Sequence, residues 1–201
     1  TDRFLFQKRL DYRKVLKIAS QGLSRVNSLK HQLKLVCYFL TSRARIKFVA
    51  VYMPDDGVHD FMLKEARSFD ASSAFPKSVA FDSEILMYLK KEKRKPYLEY
   101  YSIEDISRRS EKTNDIYQYL TGLCHEMQKL NAHLIVPSFY QDELQGILVL
   151  GEKRSEEPYN EEDINLFQTI AQESAIAFEN ARKHDELVAH AHEAERGDFL
   201  R

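Results

Sequence analysis

The chain has 201 residues, of which 43% are hydrophobic and 30% are charged, and its formal net charge is −1. That composition supports a packed core under a well-solvated surface and argues against a disordered chain. The near-zero net charge provides no field that would attract nucleic acid or an anionic membrane. Two cysteines, Cys37 and Cys124, are too few for a disulfide framework, which favours a reducing cytoplasm. No apolar run approaches the roughly 20 residues that span a bilayer.

A helical pattern occupies residues 3–26. Its apolar residues recur at alternating spacings of four and three, as in a coiled-coil seam, at Tyr12, Leu16, Ala19, Leu23 and Val26. The pattern predicts either a helix that packs on its own domain or half of a dimer interface, and both interpretations can hold on different faces. We therefore expect residues 1–26 to form an N-terminal linker and dimerisation helix.

The next segments predict a helix and a β-hairpin. Leu29–Thr41 carries an apolar face typical of a packed helix. Arg45–Met53 is dense in β-branched and aromatic residues and predicts a strand. The turn-forming Pro54–Gly57 follows, and His59–Phe69 predicts the returning strand. Asp70–Phe81 has the composition of a loop.

The middle of the chain predicts two helices and a short strand. The segments are, in order, a helix over Glu84–Lys91 capped by Ser83, a basic run over Lys90–Lys95, a strand over Pro96–Tyr101, a polar stretch over Ser102–Asn114 and a helix over Asp115–Leu130. The basic run is interpreted as a solvated helix end, because neither a Gly-rich loop nor interleaved aromatic residues support phosphate or nucleic-acid binding.

A second hairpin is predicted where two apolar runs, His133–Tyr140 and Leu144–Leu150, flank a short polar break. An acidic loop then leads to Asn160, which can cap a helix that continues without Pro or Gly from Glu161 to about Glu195. A helix of about 35 residues extends about 50 Å, beyond the edge of a small domain.

The second half of this long helix is polar and is expected to need a partner chain. We therefore predict a homodimer and an output helix. The heptad track along the helix includes Ser174, Ala181 and Val188, which we assign to the dimer interface together with the N-terminal seam.

The order of strand, tight turn, strand, charged loop and long helix carries a family resemblance. Val136-Pro137 closes the first strand, and Gly146-Ile147-Leu148-Val149-Leu150 forms the second. This arrangement resembles the C-terminal half of a GAF domain, a small-molecule sensing module of signalling proteins. The resemblance implies an α+β fold with an antiparallel sheet of five or six strands, helices on both sides, and long N- and C-terminal signalling helices. It places the GAF domain at residues 27–180 and a signalling helix at 181–201.

Both ends of the chain resemble parts of bacterial sensor histidine kinases. The run DRFLFQKRLDYRKVL is similar to the segment after the membrane region of membrane-anchored sensor kinases. Glu195–Arg201 is similar to the lead-in to their dimerisation helix, and the Ser-His-Glu box that follows there is absent. The resemblance implies a non-catalytic sensory and dimerisation module, continuous with a kinase domain and held in the cytoplasm at the inner face of the membrane.

Two other functions stay open at this stage. The chain can instead regulate a different output enzyme, such as a cyclase or phosphatase. The pair Cys124-His125 is reminiscent of bilin-binding GAF domains, where the cysteine holds the chromophore. The cysteine pattern of GAF domains that reduce free methionine sulfoxide is not reproduced by Cys37 and Cys124.

No enzyme signature is present, since the sequence lacks a Gly-x-Ser-x-Gly motif, a P-loop and a dinucleotide fingerprint. His190 and His192 are two residues apart, on different faces of a helix, so no metal site is predicted. No cofactor is evident. The GAF resemblance implies a cavity for a small-molecule ligand between sheet and helices, with candidate walls at Phe48, Tyr97, Tyr100, Tyr117, Cys124 and Ile135. Such apolar walls suit a small planar ligand, and the same residues can instead simply fill a core.

Overall fold

The computed structural model describes residues 28–55, 57, 59–69, 75–92, 97–112 and 114–198. The predicted N-terminal helix, with Tyr12, Leu16, Ala19 and Leu23, lies outside the described residues. The described elements are α1 (Leu29–Ser42), β1 (Phe48–Pro54), β2 (Phe61–Ser68), β3 (Ser78–Val79), α2 (Glu84–Lys91), β4 (Leu98–Glu99), α3 (Tyr100–Arg109), α4 (Asp115–Lys129), β5 (Leu134–Tyr140), β6 (Glu143–Leu150) and α5 (Glu161–Asp198).

The strands form a single sheet of six in the order β3-β2-β1-β6-β5-β4. All neighbouring strands pair antiparallel. The predicted α+β fold, an antiparallel sheet of five to six strands flanked by helices, is confirmed. The pairing of β1 with β6 places the first long strand beside the last one at the centre of the sheet.

Side chains alternate between the two faces of the sheet and build a core on each. The α5 core lies between the sheet and helices α1 and α5, and its members include Leu40, Val49, Val51, Leu134, Phe167 and Ile170. The α4 core lies between the sheet and helices α2, α3 and α4, and its members include Ala50, Tyr52, Leu123, Met127 and Ile135. The sheet is therefore covered on both faces.

The β5–β6 hairpin follows the predicted turn chemistry. Tyr140 pairs with Glu143, so Gln141 and Asp142 form a two-residue loop. Both have positive φ, 49° and 66°, as a type I′ turn requires. Farther along β6, a Cβ added to Gly146 would lie 2.9 Å from the Tyr52 carbonyl oxygen, so a glycine is needed for the close approach of β1.

Helix α3 was not expected from the sequence. Tyr100 and Tyr101 were predicted to end a strand and Ser102–Asn114 to be irregular, but the chain is helical over Tyr100–Arg109. The helix is stabilised by Ile103 and Ser107, which are buried, and by two i,i+4 ion pairs, Arg108–Glu104 and Arg109–Asp105, on its outer side. The polar composition of the segment reflects this exposed outer side.

Helix α5 begins with a reciprocal cap. The Asp163 backbone N donates to Asn160 Oδ1 at 2.8 Å, and the Asn160 backbone N donates to Asp163 Oδ2 at 3.1 Å. The Asp163 carboxylate also pairs with Lys153 Nζ at 2.7 Å. This arrangement agrees with the cap predicted at Asn160.

The burial of α5 changes after Ala181. Ser174 is 0% exposed and Ala181 is 3% exposed within this single chain, whereas Val188 is 42% exposed. Of these three residues, Val188 is the one exposed in the single chain, and the assignment of the dimer interface stays a prediction.

Candidate functional site

Four of the six predicted cavity residues lie in one layer of the structure. Phe48, Cys124 and Ile135 belong to the α4 core, and Tyr100 packs against it. The Phe48 ring meets Phe75 edge to face, with centroids 5.4 Å apart. Phe48 begins β1 and Ile135 lies near the start of β5, so these residues gather at one end of the sheet.

The other two predicted residues lie elsewhere. Tyr97 packs against the α5 core, because it precedes Leu98, which faces the α4 core, and neighbouring residues of an extended chain point to opposite sides. Its assignment to the same cavity is wrong for that reason. Tyr117 is half-buried near the start of α4, whereas the buried residues of that helix are Leu123, Cys124 and Met127.

The region predicted as a cavity contains a closely packed core. Tyr52, Leu123 and Met127 are fully buried there. The Phe48 ring lies so close to Gly151 that an added Cβ would overlap its edge. Phe48, Cys124 and Ile135 are therefore members of this core, and a ligand cavity beside them stays a prediction.

The thiol of Cys124 is protonated in this setting. Burial raises its pKa, and the nearby Glu104 carboxylate raises it further. Burial also raises the pKa of Cys37 far above its usual range. Since the thiolate is the reactive form, neither thiol is an activated nucleophile.

An aromatic group lies at the edge of the α4 core. The ring of His133 meets Tyr101 edge to face, with centroids 5.3 Å apart, and Tyr100 Oη accepts a hydrogen bond of 2.8 Å from Gln128 Nε2. Burial lowers the pKa of His133, with Glu152 opposing that effect. No atom of the described residues forms a hydrogen bond with the buried Nδ1 of His133.

A cleft of about 440 Å³ opens at the opposite end of the strands. It lies where β1 ends, the β5–β6 hairpin turns and helix α2 passes over the sheet. Its lining consists of Pro54, Asp55, His59, Phe61, Phe81, Lys90, Asp142, Glu143 and Leu144. The seven residues of β1 separate it from Phe48 by roughly 20 Å. None of the predicted cavity residues lines it.

The cleft combines an apolar interior with separated charges. Phe61 is 2% exposed and forms part of the apolar wall. Lys90 Nζ lies 3.7 Å from the centroid of the Phe81 ring and 6.0 Å from that of Phe61, which is cation–π geometry. Partial burial lowers the pKa of Lys90, and no carboxylate among the described residues contributes to that shift.

The acidic side chains of the cleft differ in their pairing. Asp55 Oδ2 lies 2.7 Å from Lys64 Nζ, and this contact is the main cause that lowers the pKa of Asp55. Asp142 and Glu143 are exposed at the hairpin turn, and within the described ranges neither takes part in an ion pair. The cleft lining thus includes the ammonium of Lys90, from α2, and the carboxylates of Asp142 and Glu143, from the hairpin turn and the start of β6.

No motif in the sequence predicts this cleft. Its residues come from three separated stretches, and Lys90 was interpreted as part of a solvated helix end. Two signals were available: the cap at Ser83, which begins α2 and was predicted, and the turn at Gln141 and Asp142. Neither signal reveals that these segments meet across the end of the sheet.

The described part of the chain contains no group of three or more His, Cys, Asp or Glu side chains that could hold a metal ion. None of its helices combines the length and the apolar character needed to cross a bilayer.

Comparison with known proteins identifies the fold. The family model of the GAF domain matches residues 29–178. The GAF domain of a phosphoenolpyruvate-protein phosphotransferase from Coxiella burnetii superposes with a TM-score of 0.61 at 19% identity, covering 88% of this chain and 97% of that one. Residues 122 to 287 of a methyl-accepting chemotaxis protein give 0.60 at 14% identity, covering 81% and 96%.

A third solved structure, the free methionine-R-sulfoxide reductase from Neisseria meningitidis in complex with its substrate, gives a TM-score of 0.59 at 14% identity, covering 86% of this chain and 91% of that one. No curated protein matches the chain. At these identities the structural likeness establishes the fold alone.

Proposed function

Because this chain belongs to the GAF domain family, whose members are regulatory signalling modules, we propose that it is the sensory and dimerisation module of a bacterial two-component sensor histidine kinase. In this proposal it has no catalytic activity of its own. It relays ligand binding or an upstream membrane signal to a kinase domain of the same chain. Its place is the cytoplasm, at the inner face of the membrane, through an upstream anchor.

The observation that carries the proposal is the course of helix α5. The helix is anchored in the α5 core by Phe167, Ile170 and Phe178, which are each 1% exposed. It continues past Ala181 to Asp198 without interruption. A rigid element that begins in a sensing domain and leaves it can carry a displacement to whatever follows.

The exposed part of α5 supports the pairing of two chains. Leu187 is 69% exposed and Val188 is 42% exposed. Arg182 pairs with the buried Glu179 and with the exposed Glu186. The exposed i,i+4 pair with Glu186 contributes only a few tenths of a kcal/mol to an isolated helix. An isolated polar helix is marginal in water, and burying Leu187 and Val188 against a second copy would stabilise it.

The mechanism is a shift between two arrangements of the paired helices. A ligand can move such an equilibrium only by the difference between its affinities for the two states. Helix α5 contacts β5 and β6 on one face of the sheet, and the cleft lies against the same strands at their hairpin end. A change in the hairpin therefore has a short path to α5.

Cysteine cross-linking tests the pairing directly. Both native thiols are buried, so a cysteine introduced at the exposed Val188 is the reactive one. In a parallel dimer the two Val188→Cys residues meet, and mild oxidation should yield a covalent dimer of the 201-residue chain. Asn165→Cys, exposed on the same helix but inside the domain, serves as the matched control and should stay monomeric on a denaturing gel.

Two results would contradict the proposal. One is a monomer in light scattering with equal, slow cross-linking of the two variants. The other concerns the output domain, which the gene that encodes the chain can reveal. A Ser-His-Glu box encoded shortly after Arg201, with autophosphorylation of the longer product, is the expected result. Its absence would indicate a regulatory domain of another output enzyme.

A further inference from the structure

We propose that the cleft at the hairpin end of the sheet binds a small zwitterion with an apolar body, such as an apolar amino acid. The ligand carboxylate would pair with Lys90, its ammonium with Asp142 and Glu143, and its side chain would contact Phe61 and Phe81. The assignment names a ligand class for the proposed sensory role and rests on that role only for its biological meaning.

The size and shape of the cleft suit such a ligand. A volume of about 440 Å³ lies within the range of small-molecule sites. Pro54, Phe61, Phe81 and Leu144 supply the apolar surface that such sites use for affinity. The polar groups are Asp55, His59, Lys90, Asp142 and Glu143, so the lining is about equally polar and apolar. Polar groups at fixed positions in such a site orient a ligand.

Lys90 is the anion-binding group. Its ammonium contacts the rings of Phe81 and Phe61, and burial alone accounts for its altered proton affinity, so no carboxylate of the described residues neutralises it. Lys90 as a whole is exposed, so its ammonium is accessible to a ligand. An ammonium on an aromatic surface gains a charge-assisted hydrogen bond when a carboxylate arrives. Asp55, the nearest alternative acid of the cleft wall, is already paired with Lys64.

Asp142 and Glu143 disfavour a ligand that carries a carboxylate but no ammonium. Both are exposed on the hairpin turn, and the left-handed φ of Asp142 holds that turn in a defined conformation. Their negative charge repels a simple anion and attracts an ammonium. A molecule that carries both charges pairs with Lys90 and with the two carboxylates, whereas a molecule with either charge alone leaves one of these partners unpaired.

Isothermal titration calorimetry of the 201-residue chain with phenylalanine, 3-phenylpropionate and 2-phenylethylamine tests the proposal. The three compounds share a phenyl group and differ in whether they carry both charges, the carboxylate alone or the ammonium alone. A second set, leucine with the acid and the amine that carry the same aliphatic side chain, tests whether binding depends on the aromatic ring. We expect the amino acid of at least one set to bind, and its acid and its amine to bind at least about tenfold more weakly, since each loses a contact between charges.

Matched variants identify the groups responsible. Lys90→Met keeps an apolar side chain and removes the ammonium. This variant should bind the amino acid at least about tenfold more weakly. Lys91→Met, the exposed neighbour in the last turn of α2, should bind as the wild type does. The double variant Asp142→Asn with Glu143→Gln should weaken binding of the amino acid, because its ammonium loses a partner, and should strengthen binding of the acid, because the repulsion is removed. Circular dichroism confirms that each variant is folded.

Three outcomes would overturn the assignment. They are no binding of either amino acid at millimolar concentration, an unchanged affinity in Lys90→Met, or an acid that binds as tightly as its amino acid. Each is independent of the cross-linking of Val188→Cys, so a failure of ligand binding and a failure of the sensory dimer are distinguishable.

Discussion

The two faces of the sheet are covered in different ways. On the α5 face, two helices of 14 and 38 residues lie over the strands. On the α4 face, three helices of 8, 10 and 15 residues divide the same area, joined by connecting segments. Long helices hold their position along many turns, whereas short helices leave edges and gaps between them. The cleft opens at such an edge, where α2 ends above the hairpin.

This difference indicates that the two faces have different roles. The α5 face fixes an element that leaves the domain, and the α4 face carries the charged cleft. Binding sites concentrate on connecting segments that a rigid scaffold positions, which agrees with the location of the cleft. The comparison can be tested by asking how each face responds to small changes in its packing.

The largest expected effect follows from removing a core side chain on either face. Phe167→Ala in the α5 core should lower the free energy of unfolding by about 3–5 kcal/mol, and Leu123→Ala in the α4 core by about 2–5 kcal/mol, because each leaves a cavity. Urea denaturation followed by circular dichroism measures both. Ile176→Ala, at a position 46% exposed on α5, is the control and should lose far less.

Both variants should still unfold in one transition, because the two cores share β1, β5 and β6. Separate transitions in either variant would show that the faces are independent units and would break the comparison.

An intermediate effect is expected at the glycines. Gly146→Ala places its Cβ 2.9 Å from the Tyr52 carbonyl oxygen, and the backbone of a central strand cannot retreat, so we expect a loss of about 1–3 kcal/mol. Gly122→Ala meets the end of the flexible Glu84 side chain instead. Its higher helix propensity, about 1 kcal/mol, offsets that contact. A loss at Gly122 as large as that at Gly146 would contradict this account.

The smallest expected effect is a pH dependence on the α4 face. Burial lowers the pKa of His133 below its ordinary 6.5, so the unfolded chain binds more protons in the range just below that pH. The stability contributed by neutral His133 is present above pH 6.5 and is lost as the pH falls through the folded-state pKa.

The groups around His133 are Tyr100, Tyr101, Glu152 and Lys47. His133→Gln should flatten the decline in unfolding free energy between about pH 6.5 and 5, whereas the exposed His125→Gln on α4 should preserve it. Chemical denaturation at several pH values measures this. An identical decline in wild type and His133→Gln would assign the pH dependence to other groups.

Local chemistry accounts for the elements that sequence reasoning predicted correctly. Ser83 begins α2 by accepting a hydrogen bond from the Leu86 backbone N, as its position before an apolar run suggested. Asn160 and Asp163 begin α5 by capping each other. The predicted polar break of Gln141, Asp142 and Glu143 contains the turn, which uses Gln141 and Asp142 while Glu143 already pairs in β6. Each signal involves residues within a few positions of one another.

The incorrect predictions concern residues whose environment depends on distant parts of the chain. Helix α3 was missed because its polar outer side outweighs two buried residues, Ile103 and Ser107, in any local measure of composition. Tyr97 was assigned to the wrong face because the pattern Tyr97-Leu98-Glu99-Tyr100 changes from strand to helix within it. Ser174 and Ala181 fit a heptad track, and both are buried within the single chain.

The sequence by itself determined the hairpins and the capped helices, because those follow from turn geometry, hydrogen-bond capping and the spacing of apolar residues along a short stretch. The antiparallel α+β fold was implied by the family resemblance that the order of these elements carries. Only the tertiary structure decided where the charged cleft lies. Lys90, Phe61 and Asp142 are far apart in the sequence and share a site because β1 pairs with both β2 and β6 beneath α2. That pairing joins distant segments, and no periodicity within any one of them encodes it.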